Sequence, residues 1–280
     1  MLGWSFKLFR IAGIRLAVHY SFLLLLGFAA WEGAQAGGVS GALLEMTLLL
    51  AFFTCVVLHE LGHCFAAQRY GIRANQILLM PIGGMAEFER IPREPRMEMS
   101  IAVAGPLVNV AIMLLLVGFV RFAGVFSNGS AGDAAWSGVN GFLLQIFFAN
   151  AAMATLNLLP VFPMDGGRVL RAALATRFPY LKATRLASLT AKVVACIGIA
   201  LALWFDLWLL ALLFAFVIFV GDAEYRSVKR AELESQHWSE YWSRYRSMIA
   251  EPPDISPLNS PNPSGTEDKN RETGSDRGGA

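Results

Sequence analysis

Charged residues are scarce in this sequence, and the scarcity excludes an ordinary soluble domain. Asp, Glu, Lys and Arg make up 16% of the 280 residues, while apolar and aromatic residues make up 55%. In a soluble domain about a quarter of the residues are charged. Apolar segments long enough to cross about 30 Å of hydrocarbon recur along the chain. The composition therefore predicts a membrane protein that crosses the lipid bilayer several times.

Cysteine is also rare, and basic residues are not interleaved with aromatic ones. The three cysteines, Cys55, Cys64 and Cys196, all lie in apolar segments, which argues against a framework of disulfide bonds. The formal net charge is only +2, and no basic-aromatic pattern indicates nucleic-acid binding. We therefore expect no nucleic-acid partner, and we expect the lipid bilayer to surround most of the chain.

Six apolar segments have the length of transmembrane helices. They are about Leu16–Trp31, Leu43–Ala67, Ile101–Gly124, Phe142–Leu159, Leu186–Phe205 and Leu207–Val220. If the N-terminus is cytoplasmic, all of the 23 Lys and Arg residues except Arg121 and Lys192 lie on the cytoplasmic side. Such a bias is typical of membrane proteins. The sequence thus predicts a multi-pass protein of the cell membrane with both termini in the cytoplasm.

The composition changes after the sixth segment. Residues 1–221 form the predicted six-span membrane domain. Residues 222–250 are polar but carry an aromatic stripe at helical spacing between Trp238 and Tyr245, which favours an amphipathic helix at the lipid interface over a docking site for a partner. Residues 251–280 are rich in Pro, Ser, Asn and Gly and have no periodic apolar face. We predict that this tail is disordered.

The second apolar segment contains two histidines and a glutamate in the sequence HELGH. Residues i and i+4 of a helix share a face, so His59 and His63 can reach one metal ion, with Glu60 beside them. Imidazole suits Zn²⁺, and a carboxylate next to the metal can act as a general base. The plainer interpretation is a pair of interhelical hydrogen bonds. We favour the metal, because the chain has only four histidines and ionisable groups within a span are usually functional.

A catalytic zinc ion usually has three protein ligands, and Asp165 is the favoured third ligand. Pro160 and Pro163 end the fourth helix just before it, and Gly166–Gly167 permit unusual backbone angles. Irregular backbone near membrane depth must be covered by protein or line a wet cavity. The rival role for Asp165 is the N-cap of a following helix, which is compatible with zinc ligation nearby. The less favoured candidates are His19, for which interfacial packing is the plainer role, and Glu45, Glu87, Glu89, Asp206 and Asp222.

Three motifs, HELGH, AGPLVN and LNLLPVFPMDGGR, follow one another on successive predicted spans. In this conjunction the chain resembles the site-2 protease family of intramembrane zinc metalloproteases, over roughly Leu43–Arg171. The resemblance implies one Zn²⁺ per chain, with His59, His63 and Asp165 as ligands and Glu60 as the catalytic base. Together with the apolar segments and the composition of the tail, it predicts an all-α polytopic membrane protein of about six transmembrane helices, with a small re-entrant β element and a disordered C-terminal tail.

The resemblance also implies the substrates and the residues that bind them. Membrane-anchored proteins would be cut near the cytoplasmic side, where a substrate helix unwinds. The segment Pro81–Phe88, with Gly83 and Gly84, corresponds to the re-entrant β element, and its edge would hold an extended substrate by strand addition. Asn157 either bonds a neighbouring helix or contacts the substrate backbone. The small residues of Ala104–Asn109 predict close helix packing, and we assign them no catalytic role.

Two other functions fit part of the pattern. A zinc transporter can carry a similar histidine spacing, but it would show further ligands along a path through the membrane. An inactive membrane scaffold would more often have lost Glu60 or a metal ligand. The 30 residues from Arg69 to Glu98 leave no room for an inserted PDZ domain. We therefore expect an active zinc metalloprotease without that module, and no feature of the sequence indicates its oligomeric state.

Overall fold

The computed structural model describes residues 4–90, 92–122 and 138–250, which are mainly helical. The helices are α1 (Ser21–Arg69), α2 (Pro95–Phe122), α3 (Gly138–Leu158), α4 (Asp165–Ala175), α5 (Tyr180–Trp204) and α6 (Trp208–Ala250). The strands are β1 (Ser5–Ile11), β2 (Ile14–His19), β3 (Ala74–Met80) and β4 (Gly83–Phe88). All of these helices except α4 are long and apolar enough to cross a membrane. The predicted helical multi-pass fold with a small β element is confirmed. The predicted disordered tail, 251–280, lies outside the described residues.

α1 contains the second predicted span and, from Ser21 onward, the first, and its two halves fold back on each other. Its 49 residues include non-helical backbone at Gly37 and Gly38, with a φ of +61° at Gly38. On either side of this break, Gly33 and Gly41 lie so close that a Cβ atom on one would collide with the backbone of the other. In an unbroken helix two residues eight positions apart would be about 12 Å apart. The glycines thus turn one long helix into a hairpin of two helical segments.

The four strands form one sheet in the order β1-β2-β3-β4. β1 pairs antiparallel with β2, β2 pairs parallel with β3, and β3 pairs antiparallel with β4. The buried side chains of Val18 and Ile77 pack in one cluster with Phe53 and Val56 of α1. β4 is an edge strand, and none of the described residues pairs with its outer edge. One face of the sheet therefore packs against the second half of α1.

The sheet is larger than the predicted β element, because the predicted first span does not begin as a helix. Leu16–His19 lies in β2, and α1 starts only at Ser21. Leu16, Ala17 and Val18 are all buried, and a strand that is buried on both faces has a continuous apolar sequence like that of a helix. His19 Nδ1 accepts a hydrogen bond from the backbone N–H of Ser21 at 3.2 Å. His19 thus binds the first residue of α1.

α6 contains the sixth predicted span and continues as one helix to Ala250. Its residues Trp238, Tyr241, Trp242 and Tyr245 are exposed. By its contacts the chain divides into two compact units, one up to Ala231 and one from Glu232. The interfacial position of the helix at 222–250 stays a prediction.

Candidate metal and catalytic site

His59 and His63 lie one turn apart on the buried side of α1. Their exposed fractions are 2% and 3%, and their Nε2 atoms are 3.1 Å apart. Both side chains therefore converge on one point, as their helical spacing requires.

Asp165, at the start of α4, reaches the same point. Its Oδ2 atom lies 3.2 Å from the Nε2 atoms of both His59 and His63. Within the described parts of the chain these are the one group of three or more His, Cys, Asp and Glu residues whose ligand atoms lie within 4.8 Å of one another. Two imidazole nitrogens and an anionic carboxylate oxygen fit one zinc ion.

The backbone at Asp165 differs from what the sequence predicted. Met164 is the N-cap of α4 and Asp165 is the first helical residue, so the rival N-cap role of Asp165 is wrong. Gly166 and Gly167 are also helical and have no unusual backbone angle. Their small size matters instead, because a Cβ atom on either would collide with the backbone at the end of α3 or just after it, between Leu158 and Phe162. The glycines bring the start of α4 close to that backbone, which fixes the position of Asp165.

Both imidazoles are oriented by hydrogen bonds from their second ring nitrogen. His63 Nδ1 donates to the backbone carbonyl of Ile101 at 2.7 Å, and His59 Nδ1 donates to Oδ1 of Asn109 at 2.7 Å. Asn109 Nδ2 donates in turn to Oδ1 of Asn150 at 3.2 Å. Because the hydrogens lie on the Nδ1 atoms, the Nε2 lone pairs of the neutral rings point into the cluster. This arrangement is common among histidines that bind metals.

Sequence reasoning missed the roles of Asn109 and Asn150. Both side chains are completely buried. An asparagine inside an apolar span needs a hydrogen-bond partner, and this was the available signal for a role beyond packing. The partner of Asn109 is His59, which lies 50 residues earlier, and no local pattern connects the two.

Gly105 of α2 provides the space beside the two histidines. A Cβ atom at Gly105 would collide with Nε2 of His63 and lie 2.7 Å from Nε2 of His59. We expect Gly105→Ala to lower zinc affinity by at least about 10-fold, which is the lower bound for losing a group that positions a ligand. Zinc titration of the purified protein measures the effect. Gly118→Ala is the matched control, because a Cβ atom on Gly118 of the same helix would meet nothing within 4 Å. Equal zinc affinity in the two variants would contradict this role of Gly105.

The cluster lines a cavity of about 370 Å³ that also contains Glu60. The Glu60 carboxyl group lies near the backbone of Ala86 in β4. A Cβ atom on Gly84 would lie 2.8 Å from Cγ of Glu60. Glu60 is therefore held between α1 and the edge strand, on the wall of the cavity that holds the three possible ligands.

All seven predicted site residues line this one cavity. They are Gly83, Gly84, Asn157, Glu60, His59, His63 and Asp165. The structure thus brings together residues from α1, β4, α3 and α4. The less favoured ligand candidates do not line it; they are His19, Glu45, Glu87, Glu89, Asp206 and Asp222.

The sequence also matches a known family across the elements that form this site. Residues 47–128 and 117–205 match the model of peptidase family M50. The chain belongs to this family. The predicted site-2 protease resemblance is confirmed, and the M50 match includes all three residues that form the possible metal site.

Two curated relatives and one solved structure resemble this M50 chain. A zinc metalloprotease of Methanocaldococcus jannaschii is 36% identical over 228 residues, which are 81% of this chain and 62% of the relative. Stage IV sporulation protein FB of Bacillus subtilis is 29% identical over 197 residues, which are 68% of this chain and 60% of the relative. A site-2 protease from Methanocaldococcus jannaschii superimposes with a TM-score of 0.54 at 33% identity, covering 79% of this chain and 95% of that one. The chain therefore spans about three fifths of the length of the two curated relatives.

Proposed function

We propose that this M50 protein is an intramembrane zinc metalloprotease that hydrolyses peptide bonds of membrane-anchored proteins near the cytoplasmic side. One observation carries the proposal: the possible ligand cluster and the Glu60 carboxyl group face the same cavity, and β4, the edge strand, borders it. Metal-assisted hydrolysis of a peptide bond uses a Lewis acid and a base that act on an accessible, extended substrate. The cavity has a place for each.

In this proposal His59, His63 and Asp165 hold the metal, and Glu60 moves the protons. A zinc ion bound there supplies Lewis acidity, which polarises a carbonyl group and activates water. Glu60 takes a proton from the attacking water and later delivers it to the leaving amine. Asn109 keeps the His59 ring in the orientation and tautomer that a metal ligand needs.

β4 is the surface that we assign to the substrate. Its outer edge would accept an extended segment by strand addition, so that the backbone groups of an unwound helix find hydrogen-bond partners. Gly84 lets this edge lie close to Glu60, because a side chain at that position would displace the carboxyl group. Gly83 and Asn157 line the same cavity, and we propose that Asn157 bonds to the substrate backbone. Substrate helices weakened by Gly, Pro or Asn should be cut best.

We place the protein in the cell membrane with both termini in the cytoplasm. The basis is the distribution of Lys and Arg, of which only Arg121 and Lys192 do not lie on the proposed cytoplasmic side. In this arrangement residues 1–221 form the membrane domain, and the helix at 222–250 lies at the lipid interface. The end of α1 at Arg69 is then cytoplasmic, and so is the opening of the site.

A reconstitution experiment tests the proposal against the zinc transporter and the inactive scaffold. The protein and a single-span reporter protein are placed in the same vesicles, and the reporter is examined for new ends by mass spectrometry. We expect cleavage that stops on zinc chelation and returns on addition of zinc. Zinc movement across the vesicles without cleavage would favour the transporter. If neither cleavage nor zinc movement is found with several reporters whose transmembrane helices are weakened, the inactive scaffold is favoured.

A further inference from the structure

A second cavity, of about 500 Å³, lies beside the one that holds the possible metal ligands. The two cavities have five lining residues in common, and one of these carries a charge. The shared residues are Met85, Ala86, Phe88, Pro163 and Arg168. Of the β4 residues, Gly83 and Gly84 line only the first cavity and Glu87 lines only the second. The two spaces therefore follow one another along β4.

β4 leads from the metal-ligand cluster toward the C-terminal end of α1. At the start of the strand, Gly84 approaches Val56 and Glu60 of α1. At its end, Phe88 packs against the cluster that contains Ala67, near the last residue of α1, Arg69. A substrate segment paired with β4 at the first cavity would therefore continue into the second.

Two arginines of α4 line the second cavity, and their surroundings differ. Arg171 is 1% exposed. Its Nε donates to Glu98 and its Nη1 to Glu224, each at 2.8 Å. Arg168, nearly one turn earlier, is only partly buried and has no hydrogen bond or ion pair with any residue that the structure describes. The guanidinium group of Arg168 is thus available where the two cavities meet.

We propose that Arg168 determines specificity by binding an acidic side chain in the part of the substrate that enters the second cavity. The inference rests on the proposed function, because it assumes a peptide segment along β4. A guanidinium group binds a carboxylate with two parallel hydrogen bonds, which a neutral or basic side chain cannot replace. Arg171 binds one oxygen, Oε1, of Glu98 and Oε1 of Glu224, and Glu98 is completely buried, so it is not exposed to a substrate. Glu87 is exposed to solvent, where its repulsion of an acidic substrate is screened.

Peptide binding to the Glu60→Gln variant tests this role without cleavage. The probes are synthetic apolar peptides with a polar flank, in which a single Asp, Asn or Lys is moved one position at a time. At one or two positions we expect the Asp peptide to bind about 10- to 100-fold more tightly than the Asn peptide, as for a charge-assisted hydrogen bond. Adding Arg168→Gln should remove this difference, and adding Arg168→Glu should reverse it in favour of Lys. Arg177→Gln, an exposed arginine outside both cavities, is the matched control and should leave the preference intact.

Several results would overturn the role of Arg168. They are the lack of an Asp preference at every position, a preference that survives Arg168→Gln, and an equal loss of binding for all peptides in that variant. Zinc content and elution volume establish that each variant is folded, and Arg168→Lys should keep a smaller preference for Asp. If the wild-type protein cuts none of the peptides or membrane-anchored reporters, the proposed function fails, whereas the binding comparison still decides the role of Arg168.

Discussion

The Glu60→Gln variant is expected to keep its zinc and bind substrate, but not to cut it. Glutamine has nearly the size of glutamate and leaves the three proposed ligands His59, His63 and Asp165 in place, but its amide cannot accept a proton from water. Loss of a general base typically slows a reaction about 10²- to 10⁴-fold. In the proposed mechanism the same group also serves as the acid, so the loss should be at least that large. Initial cleavage rates of a membrane-anchored reporter measure the loss of cleavage, and elemental analysis measures the retention of zinc.

Glu45→Gln is the matched control for this experiment. Glu45 lies on the same helix, is exposed and does not line the cavity, so the substitution should leave the cleavage rate unchanged. Cleavage by Glu60→Gln at the wild-type rate would show that another group moves the protons. Loss of zinc together with cleavage would show that Glu60 is needed to hold the metal.

The Asp165→Ala variant is expected to lose both zinc and cleavage while it still inserts into the membrane. Two histidines alone leave zinc without its usual third protein ligand. The loss of affinity should therefore exceed the about 10- to 100-fold typical of removing a residue that only positions a ligand. Zinc titration, membrane extraction and the reporter assay test the three parts of this expectation.

A neutral replacement separates the charge of Asp165 from its size. Asp165→Asn keeps the shape of the side chain and should also lose zinc, because an amide oxygen is a weaker ligand than a carboxylate. Asp206→Asn is the control, since Asp206 is exposed and asparagine tolerates its positive φ of +57°. Full zinc occupancy and cleavage in Asp165→Asn would mean that another residue completes the site.

The sequence predicted best those parts of the site that depend on local geometry. His59 and His63 are four residues apart in one helix, so their convergence follows from the helical repeat alone. Asp165 lies 106 residues after His59, and no spacing rule connects them. Its prediction depended on the prolines and glycines around it and on the family resemblance. The turn between the first two spans is formed by Gly37 and Gly38, which are visible in the sequence. The close contact of Gly33 with Gly41 on either side of this turn depends on tertiary packing.

The parts that the sequence did not predict depend on contacts between distant segments. β2 is apolar because both of its faces are covered, and this burial made its sequence look like the start of a span. Asn109 is placed by its bonds to His59 and Asn150, which belong to other helices. Arg171 and Glu98 form an ion pair across 73 residues. Each of these features exists only once the helices have packed, so a local pattern cannot contain it.

The long separation between the possible ligands gives a bound metal ion a second effect, that of a cross-link. It would join two points of the chain 106 residues apart and tie α1 to α4, a helix of only 11 residues. An ion that binds only the packed arrangement stabilises it, by about 2.7 kcal/mol when its free concentration is 100 times its Kd. A chelator, which removes zinc, and a denaturant would then both shift the equilibrium between the folded and unfolded domain. The resistance of this domain to unfolding would therefore report the free zinc concentration around it.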